Sequence, residues 1–520
     1  MNNQNNNRIY GLIFIALFVV SCSSEEQPSI SQTELSESKT EVIPSSEIDQ
    51  IILKSLQESG DFVWGNQSNE LILSALIQSD SILTIGYQAS GQQLTNARIG
   101  LESVQVPEMQ EAAGKIIGMI SEIQSRNQGA NLRKIEESLI HADLPFLELK
   151  VYDLEALETL KKMGEVRYFE PRGYEFDYSL LNDEQNARLT SGSGCENEPE
   201  SVPVADYSVT SPNAKASWNY VQMGISQAWA QSTGAGITVG VIDTGLSPDQ
   251  PALNGFFNSG ESSNRIVQRF GTYKTGYWWW KKYDGPNDQC GHGTAMAGVV
   301  ASPRNAVGNA VGVAYNSNLI SVRGTSDVIF DSGNEKDGVA EALVLLGKRS
   351  DVKIISMSIG DLFSNSKVAD AIRYAHNRGK LIFAAAGTST TFTNWIGVIF
   401  PATMSETVAV TGVKEGNGYQ RCDTCHSGAK VEFTVIMERT GSNTKPLTTA
   451  LYSNDPSTVG GSSVATATAA GIAALVWAKN PGWTREQVVE KMRSTSDLFP
   501  SRNSEYGYGN LNAAAAVGFY

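Results

Sequence analysis

The sequence predicts an α/β fold, a parallel sheet with helices on both faces, preceded by a small α+β domain. Three features carry that expectation. From residue 237 onward, short runs rich in Val, Ile and Ala alternate with segments whose apolar residues recur at helical spacing. Those runs are apolar at successive positions, the pattern of strands buried on both faces. Between residues 81 and 169 the spacing instead switches irregularly between strand and helix periods, as in a small mixed unit. At 520 residues the chain is too long for one core and divides into several parts.

Arg8 and the apolar run 9–20, too short to span a bilayer, lead to Val19-Val20-Ser21-Cys22. Residues 1–21 resemble a bacterial lipoprotein signal peptide. The resemblance implies that Cys22 is lipidated, becomes the first residue and anchors the chain in a membrane outside the cytoplasm. An ordinary secretory peptide with an incidental cysteine is the other reading, and either one exports the chain. Residues 22–46 are mostly Ser, Glu, Gln, Thr and Pro, with too little apolar surface to offset ordering entropy, and read as a flexible tether. Glu25 and Glu26 are a cue for sorting to the cell surface or simply paired acids of that tether.

Residues 47–175 form the α+β unit. One or two short helices are expected before residue 78, and a strand over 81–87. Met109, Ala113, Ile116, Ile117, Ile120 and Ile123 lie on one helical face. Residues 146–151 alternate as a half-buried strand, Asp153 can cap a helix through Met163, Gly164 ends it, and 165–169 is strand again. Residues 176–215 are the linker with the maturation zone, and from 189 to 215 the chain returns to Ser, Gly, Glu, Pro and Asn, a connection of the kind proteases nick.

Within 216–520, strands are expected over 237–242, 319–322, 353–357, 381–385 and 407–411. Helices are expected over 294–301, on the faces Val339/Ala342/Leu343/Leu346 and Val368/Ile372/Ala375, after Ser463, and after the capping box Thr484-x-x-Gln487. The net charge of -15 argues against nucleic acid or an anionic membrane surface as main partner.

Three residues stand in settings that suit acyl-transfer chemistry. Ser463 follows Gly460-Gly461-Ser462 where a helix of small residues begins; the N–H groups and dipole of a helix start favour negative charge beside a hydroxyl. A capping serine is the plainer reading. Asp243 ends the apolar strand at the carboxyl edge of the expected sheet, where open α/β folds bind ligands, or is a turn aspartate. Of four histidines, His292 alone is flanked by glycines at the opening of a helix. Serine needs an imidazole to take its proton, and the imidazole needs a buried carboxylate to fix its tautomer.

Val241-Ile242-Asp243-Thr244-Gly245, His292-Gly293-Thr294 with Ala297-Gly298, and Gly461-Ser462-Ser463-Val464-Ala465 resemble the three signature blocks of the subtilase family of serine endopeptidases. The order Asp, His, Ser is the subtilisin order. The resemblance runs from about residue 210 to the C-terminus. It implies Asp243 as orienting acid, His292 as base then acid, and Ser463 as nucleophile. It also implies a cleft lined by Ser358, Ile359 and Gly360, with Ser332 and Gly333 opposite, that holds a protein or peptide substrate as an added strand. The earlier unit, ending Val166-Arg167-Tyr168-Phe169-Glu170-Pro171, resembles a subtilase propeptide, which implies an intramolecular inhibitor and a zymogen.

The match fails at one chemical position. After Ala385-Ala386-Gly387 the family places an asparagine that donates to the oxyanion, and here Thr388 stands. Its hydroxyl is the partial substitute, the Ser463 N–H the other donor, and Asn394 a more distant candidate. Ser462 and Ala467 also replace the family's usual threonine and proline. A protease and a pseudoprotease that binds peptides without cutting are the two readings this leaves.

Besides Cys22, four cysteines remain in an exported chain, so disulfides are expected. Three connectivities are possible. Cys422 with Cys425 and Cys195 with Cys290 is favoured, because C-x-x-C neighbours pair readily and the other two flank the same domain start. Cys422-x-x-Cys425-His426 also matches c-type haem attachment, a distant third function. No cofactor or metal site is read from the sequence, and a calcium site is not legible in it. The expectation is a monomeric lipoprotein of the cell envelope, at the outer membrane or cell surface, whose catalytic domain is freed on maturation.

Overall fold

Seven parallel strands make the main sheet, in the order Val431–Glu438, Val408–Lys414, Leu381–Ala385, Val352–Met357, Thr238–Asp243, Asn318–Arg323 and Val267–Gly271. The computed structural model describes residues 42–128, 139–181, 195, 197–276, 281–388, 397–416 and 418–519. Residues 1–21 expected to be a lipoprotein signal, Cys22, nearly all of the expected tether, and Asn394 lie outside them. Two strands go beyond the five expected, and both are edges of the sheet. Val267–Gly271 is half-exposed with Gln268 and Arg269 in its middle, so it lacks an apolar run.

Side chains on this sheet alternate between two cores. Val239 and Val241 face a core shared with the helices His292–Ala301 and Gly461–Lys479. Ile242, Ile320, Ile355 and Met357 face another, shared with the helices Gly333–Lys348 and Ser366–Asn377. The second face needs glycine at one point: a Cβ on Gly240 would stand 2.6 Å from a Leu346 methyl. Helix Gly461–Lys479 is buried from Gly461 to Trp477, which explains a composition apolar on every side.

Strand Thr238–Asp243 is central, and the chain leaves it first toward Val267–Gly271 and Asn318–Arg323, then crosses to Val352–Met357 on its other side. It is therefore the switch point of the sheet, where the carboxyl ends of neighbouring strands diverge and leave room for a ligand. Parallel register pairs Ile242 with Val322 and with Met357, which sets Asp243 and Ser358 side by side at that edge.

The preceding unit is a four-stranded antiparallel sheet, ordered Leu139–Ile140, Phe146–Lys150, Ile82–Tyr87, Val166–Pro171. It carries the helices Ser45–Ser59, Asn69–Ile77, Pro107–Gln128 and Leu154–Lys162. Asp153 occupies the N-cap position of the last but makes no side-chain cap bond. The sheet rests on the two helices of the second face through polar contacts. Arg167 grips Asp370 with two nitrogens at 2.7 and 3.1 Å. Arg172 reaches Asp337 at 2.6 Å, and buried Lys367 bonds Glu148 at 2.7 Å and also Asp337. Glu170 accepts the free Ser366 N–H where helix Ser366–Asn377 begins, a charge-complementary cap.

Candidate active site

Asp243 is fully buried at the end of its strand, and its Oδ1 accepts the Thr244 N–H at 2.8 Å. His292 opens its helix, so its ring stands clear of the turns below. Its Nδ1 lies 2.7 Å from Asp243 Oδ1. With a carboxylate there, Nδ1 carries the proton and donates it, and Nε2 is left as the acceptor. Burial disfavours the imidazolium, but the Asp243 charge outweighs it, so His292 titrates above its ordinary range.

Ser463 lies in the first turn of helix Gly461–Lys479, whose N-cap is Gly460, so serine is not the cap. It is locked to the end of strand Val352–Met357: Ser463 Oγ donates to the Ser358 carbonyl at 3.2 Å, and Ser358 Oγ donates to the Ser463 carbonyl at 2.8 Å. Since Ser358 neighbours Asp243 across the sheet, the serine, the imidazole and the carboxylate gather at one strand edge. Gly461 is required for this approach. Its φ is +83°, and a Cβ would meet Thr388 at 2.9 Å.

Ser463 opens into a pocket lined by Ser358, Ile359, Gly360, Gly387, Thr388 and His426, together with Val328 and Ile329. The segment facing Gly360 is thus Val328 to Phe330. Gly360 N–H donates to the Val328 carbonyl at 3.1 Å and Phe330 N–H to the Gly360 carbonyl at 3.2 Å. Ser332 and Gly333 do not line this pocket: Ser332 caps helix Gly333–Lys348 in a capping box with Glu335, and Gly333 is its first residue. Tyr178 and Leu181, from the segment that follows the preceding unit, line the same pocket. Tyr178 hydroxyl donates to Asp361 Oδ1 at 2.9 Å.

Thr388 stands on the pocket wall with its hydroxyl engaged. Its Oγ1 accepts the Ser462 N–H at 3.0 Å and lies 2.7 Å from Ser462 Oγ, which also accepts the Gly387 N–H at 3.2 Å. Cys425 pairs with Thr388 as an isolated bridge, and His426 N–H donates to the Gly387 carbonyl. Cys422 is bonded to Cys425 and Cys195 to Cys290. That removes both thiols a haem would need. His426 is held by its Nδ1 on the Gly397 carbonyl at 2.7 Å, and burial pushes its pKa down to about 4.

One residue of the site carries no signal that the sequence reading used. Asp288 is buried and ties the two halves of the base together: it accepts from Thr244 Oγ1 at 2.9 Å and from the N–H groups of Cys290, Gly291 and Thr294 at 2.8 to 3.0 Å. It neutralises the open start of the His292 helix and fixes that helix to the residue after Asp243. An aspartate four residues before a helix-opening histidine was available as a capping signal.

Residues 234–509 match the model of the Subtilase family. The Alkaline protease of Alkalihalobacillus alcalophilus is 28% identical over 359 residues, 66% of this chain and 83% of that one. Subtilisin Savinase of Lederbergia lenta is 30% identical over 307 residues, 57% of this chain and 98% of that one. Among solved structures, fervidolysin from Fervidobacterium pennivorans, described as a keratinolytic enzyme related to subtilisin, aligns with a TM-score of 0.56. The alignment has 16% identity and covers 84% of this chain and 60% of that one, a likeness of fold. These likenesses are to proteins named as proteases, so the non-cutting and haem-bearing readings are not favoured. With a subtilase match over half its length, on a parallel sheet whose switch point holds a carboxylate-bound imidazole, and with relatives named as proteases, the chain belongs to the subtilase family and is a serine endopeptidase.

Proposed function

We propose that Asp243, His292 and Ser463 form the catalytic triad of an exported zymogen. The observation that carries this is the 2.7 Å bond from the His292 imidazole to a carboxylate with no exposure to solvent, at the strand edge that also holds Ser463. In the reaction the Ser463 hydroxyl exchanges the Ser358 carbonyl for Nε2 of His292, which removes its proton as Oγ attacks the scissile carbonyl. The imidazolium formed is stabilised by Asp243 and returns the proton to the leaving amine. Water then repeats the sequence on the acyl-enzyme. The oxyanion is met by the Ser463 N–H and by the Thr388 hydroxyl, which stands 2.7 Å from Ser462 Oγ. Ser358 and Ile359 offer backbone to a substrate strand, and Gly360 is already paired with Val328 and Phe330.

Residues 47–175 act as the propeptide of this enzyme, with 176–215 as linker and 216–520 as the protease domain. Tyr178 and Leu181 in the pocket support inhibition in place, and cleavage between Leu181 and Cys195 would let the propeptide leave. Two disulfides suit an oxidising compartment and so support export. Lipid on Cys22 would hold the precursor, as a monomer, at the cell envelope and leave with the propeptide. Fluorophosphonate labelling tests the triad: wild-type protein should label at Ser463 and Ser463→Ala should not. A folded, processed protein that never labels there sinks the assignment. Retention of the processed catalytic domain on membranes after a salt and urea wash sinks release by maturation.

A further inference from the structure

We propose that Asp361 makes the subsite filled by Tyr178 selective for tyrosine in substrates. This rests on the reading of residues 47–175 as an inhibitor whose tail lies in the cleft as a substrate would. Tyr178 stands three residues before Leu181, which lines the pocket at Ser463, so it samples a position upstream of the bond to be cut.

The walls around Tyr178 are apolar except where acids face its hydroxyl, Asp361 in contact with it and Asp331 and Glu335 beyond. Tyr178 and Leu181 pack with Leu362, Phe363 and Ile399 of the protease domain, in the core that continues from the preceding unit. Asp361 is a carboxylate 1% exposed. Its Oδ1 accepts the Tyr178 hydroxyl at 2.9 Å and the Leu362 N–H at 2.7 Å. Its Oδ2 makes no hydrogen bond among the described residues and has Lys336 Nζ at 3.6 Å.

This arrangement ranks side chains. Phenylalanine fills the same apolar walls but leaves buried Oδ1 with the Leu362 N–H alone, and a charge-assisted hydrogen bond is lost. A phenol supplies the donor without adding charge. A hydrogen bond to a buried ionised group corresponds to about a tenfold to hundredfold preference.

The test uses the full-length chain, allowed to process itself, and three quenched fluorescent peptides carrying Tyr-Ser-Leu-Leu, Phe-Ser-Leu-Leu or Arg-Ser-Leu-Leu. Fluorophosphonate labelling of Ser463 is followed in parallel. The expected result is a kcat/KM at least about tenfold higher for Tyr than for Phe. That ratio should fall toward one in Asp361→Ala and be reduced in Asp361→Asn, which keeps an acceptor and the side-chain shape. Protein that labels but cleaves the Tyr and Phe peptides alike, or prefers Arg, overturns the subsite alone. Protein that never labels overturns the triad assignment and the subsite with it.

Discussion

Removing the Arg167 side chain should loosen the preceding unit from the protease domain by a measurable amount. Asp370 has no exposed side-chain surface and Arg167 is only 11% exposed, so the small worth of surface pairs does not apply. Breaking a buried pair by removing one partner costs about 3–5 kcal/mol. Here Arg373 at 3.1 Å and the Tyr168 hydroxyl at 3.1 Å still serve Asp370 after Arg167→Met, which sets the expectation at the low end, about 3 kcal/mol or roughly a hundredfold. Two backbone amides report undocking directly. Ser364 N–H donates to Asp61 and Ser366 N–H to Glu170, both across the interface, so neither exchanges with solvent until the units part. In full-length Ser463→Ala protein, which cannot process itself, Arg167→Met should speed hydrogen exchange at these two amides about a hundredfold. Amides of the central strand Thr238–Asp243 should keep their protection. Acceleration below about threefold at Ser364 and Ser366, or equal acceleration in the central strand, refutes the argument.

Other outcomes follow from the same geometry. Because only a neutral imidazole takes the Ser463 proton, kcat/KM should rise with pH through a midpoint above the ordinary histidine value, and Asp243→Asn should move that midpoint down; a wild-type midpoint at or below pH 6 contradicts the pairing. Thr388→Val should lower kcat about tenfold to a hundredfold with KM little changed, at or below the lower end for an oxyanion donor because its hydroxyl also bonds Ser462 Oγ, and an unchanged kcat removes Thr388 from the oxyanion site. Asp331 is pushed up to about 7, by burial first and then by Glu335 and Asp361. The native protein therefore holds a proton there that the unfolded chain has lost, and stability falls as pH rises from the ordinary aspartate range through 7. Asp331→Asn should accordingly raise Tm more at pH 8 than at pH 5, and equal shifts in calorimetry would contradict it.

The sequence made some of this molecule legible because certain residues do one physical job. Thr484 and Gln487 complete both halves of their capping box, and the apolar face Val368/Ile372/Ala375 is buried where a helix requires it. Asp243 was readable because an apolar run must end in something polar, and the end of a parallel strand is where that polarity is useful. Ser332 and Gly333 are expected at the cleft only through the family resemblance, and the structure uses Ser332 in the capping box that starts helix Gly333–Lys348. Val328 to Phe330 escaped because a short segment that pairs at a single bridge has no period to detect. The docking surface was equally hidden. Arg167 and Asp370 stand 203 residues apart, and neither looks unusual until the other is beside it.

The Cys195–Cys290 bond closes a covalent ring of chain, spanning 95 residues of sequence separation, that ends two residues before His292. Residues just after Cys195 are laid onto the protease domain as well: Asn197 bonds the Thr449 carbonyl and accepts the Leu451 N–H, and Glu200 N–H donates to Pro456. A cut between 181 and 195 falls outside the ring, so the preceding unit is held by noncovalent contacts alone and can diffuse away. A cut between 196 and 215 falls inside it, and Cys195, still joined to everything before it, remains bonded to Cys290. The two halves of one linker are therefore not equivalent. A nick in the first divides the molecule, and a nick in the second leaves it in one piece until a reductant arrives.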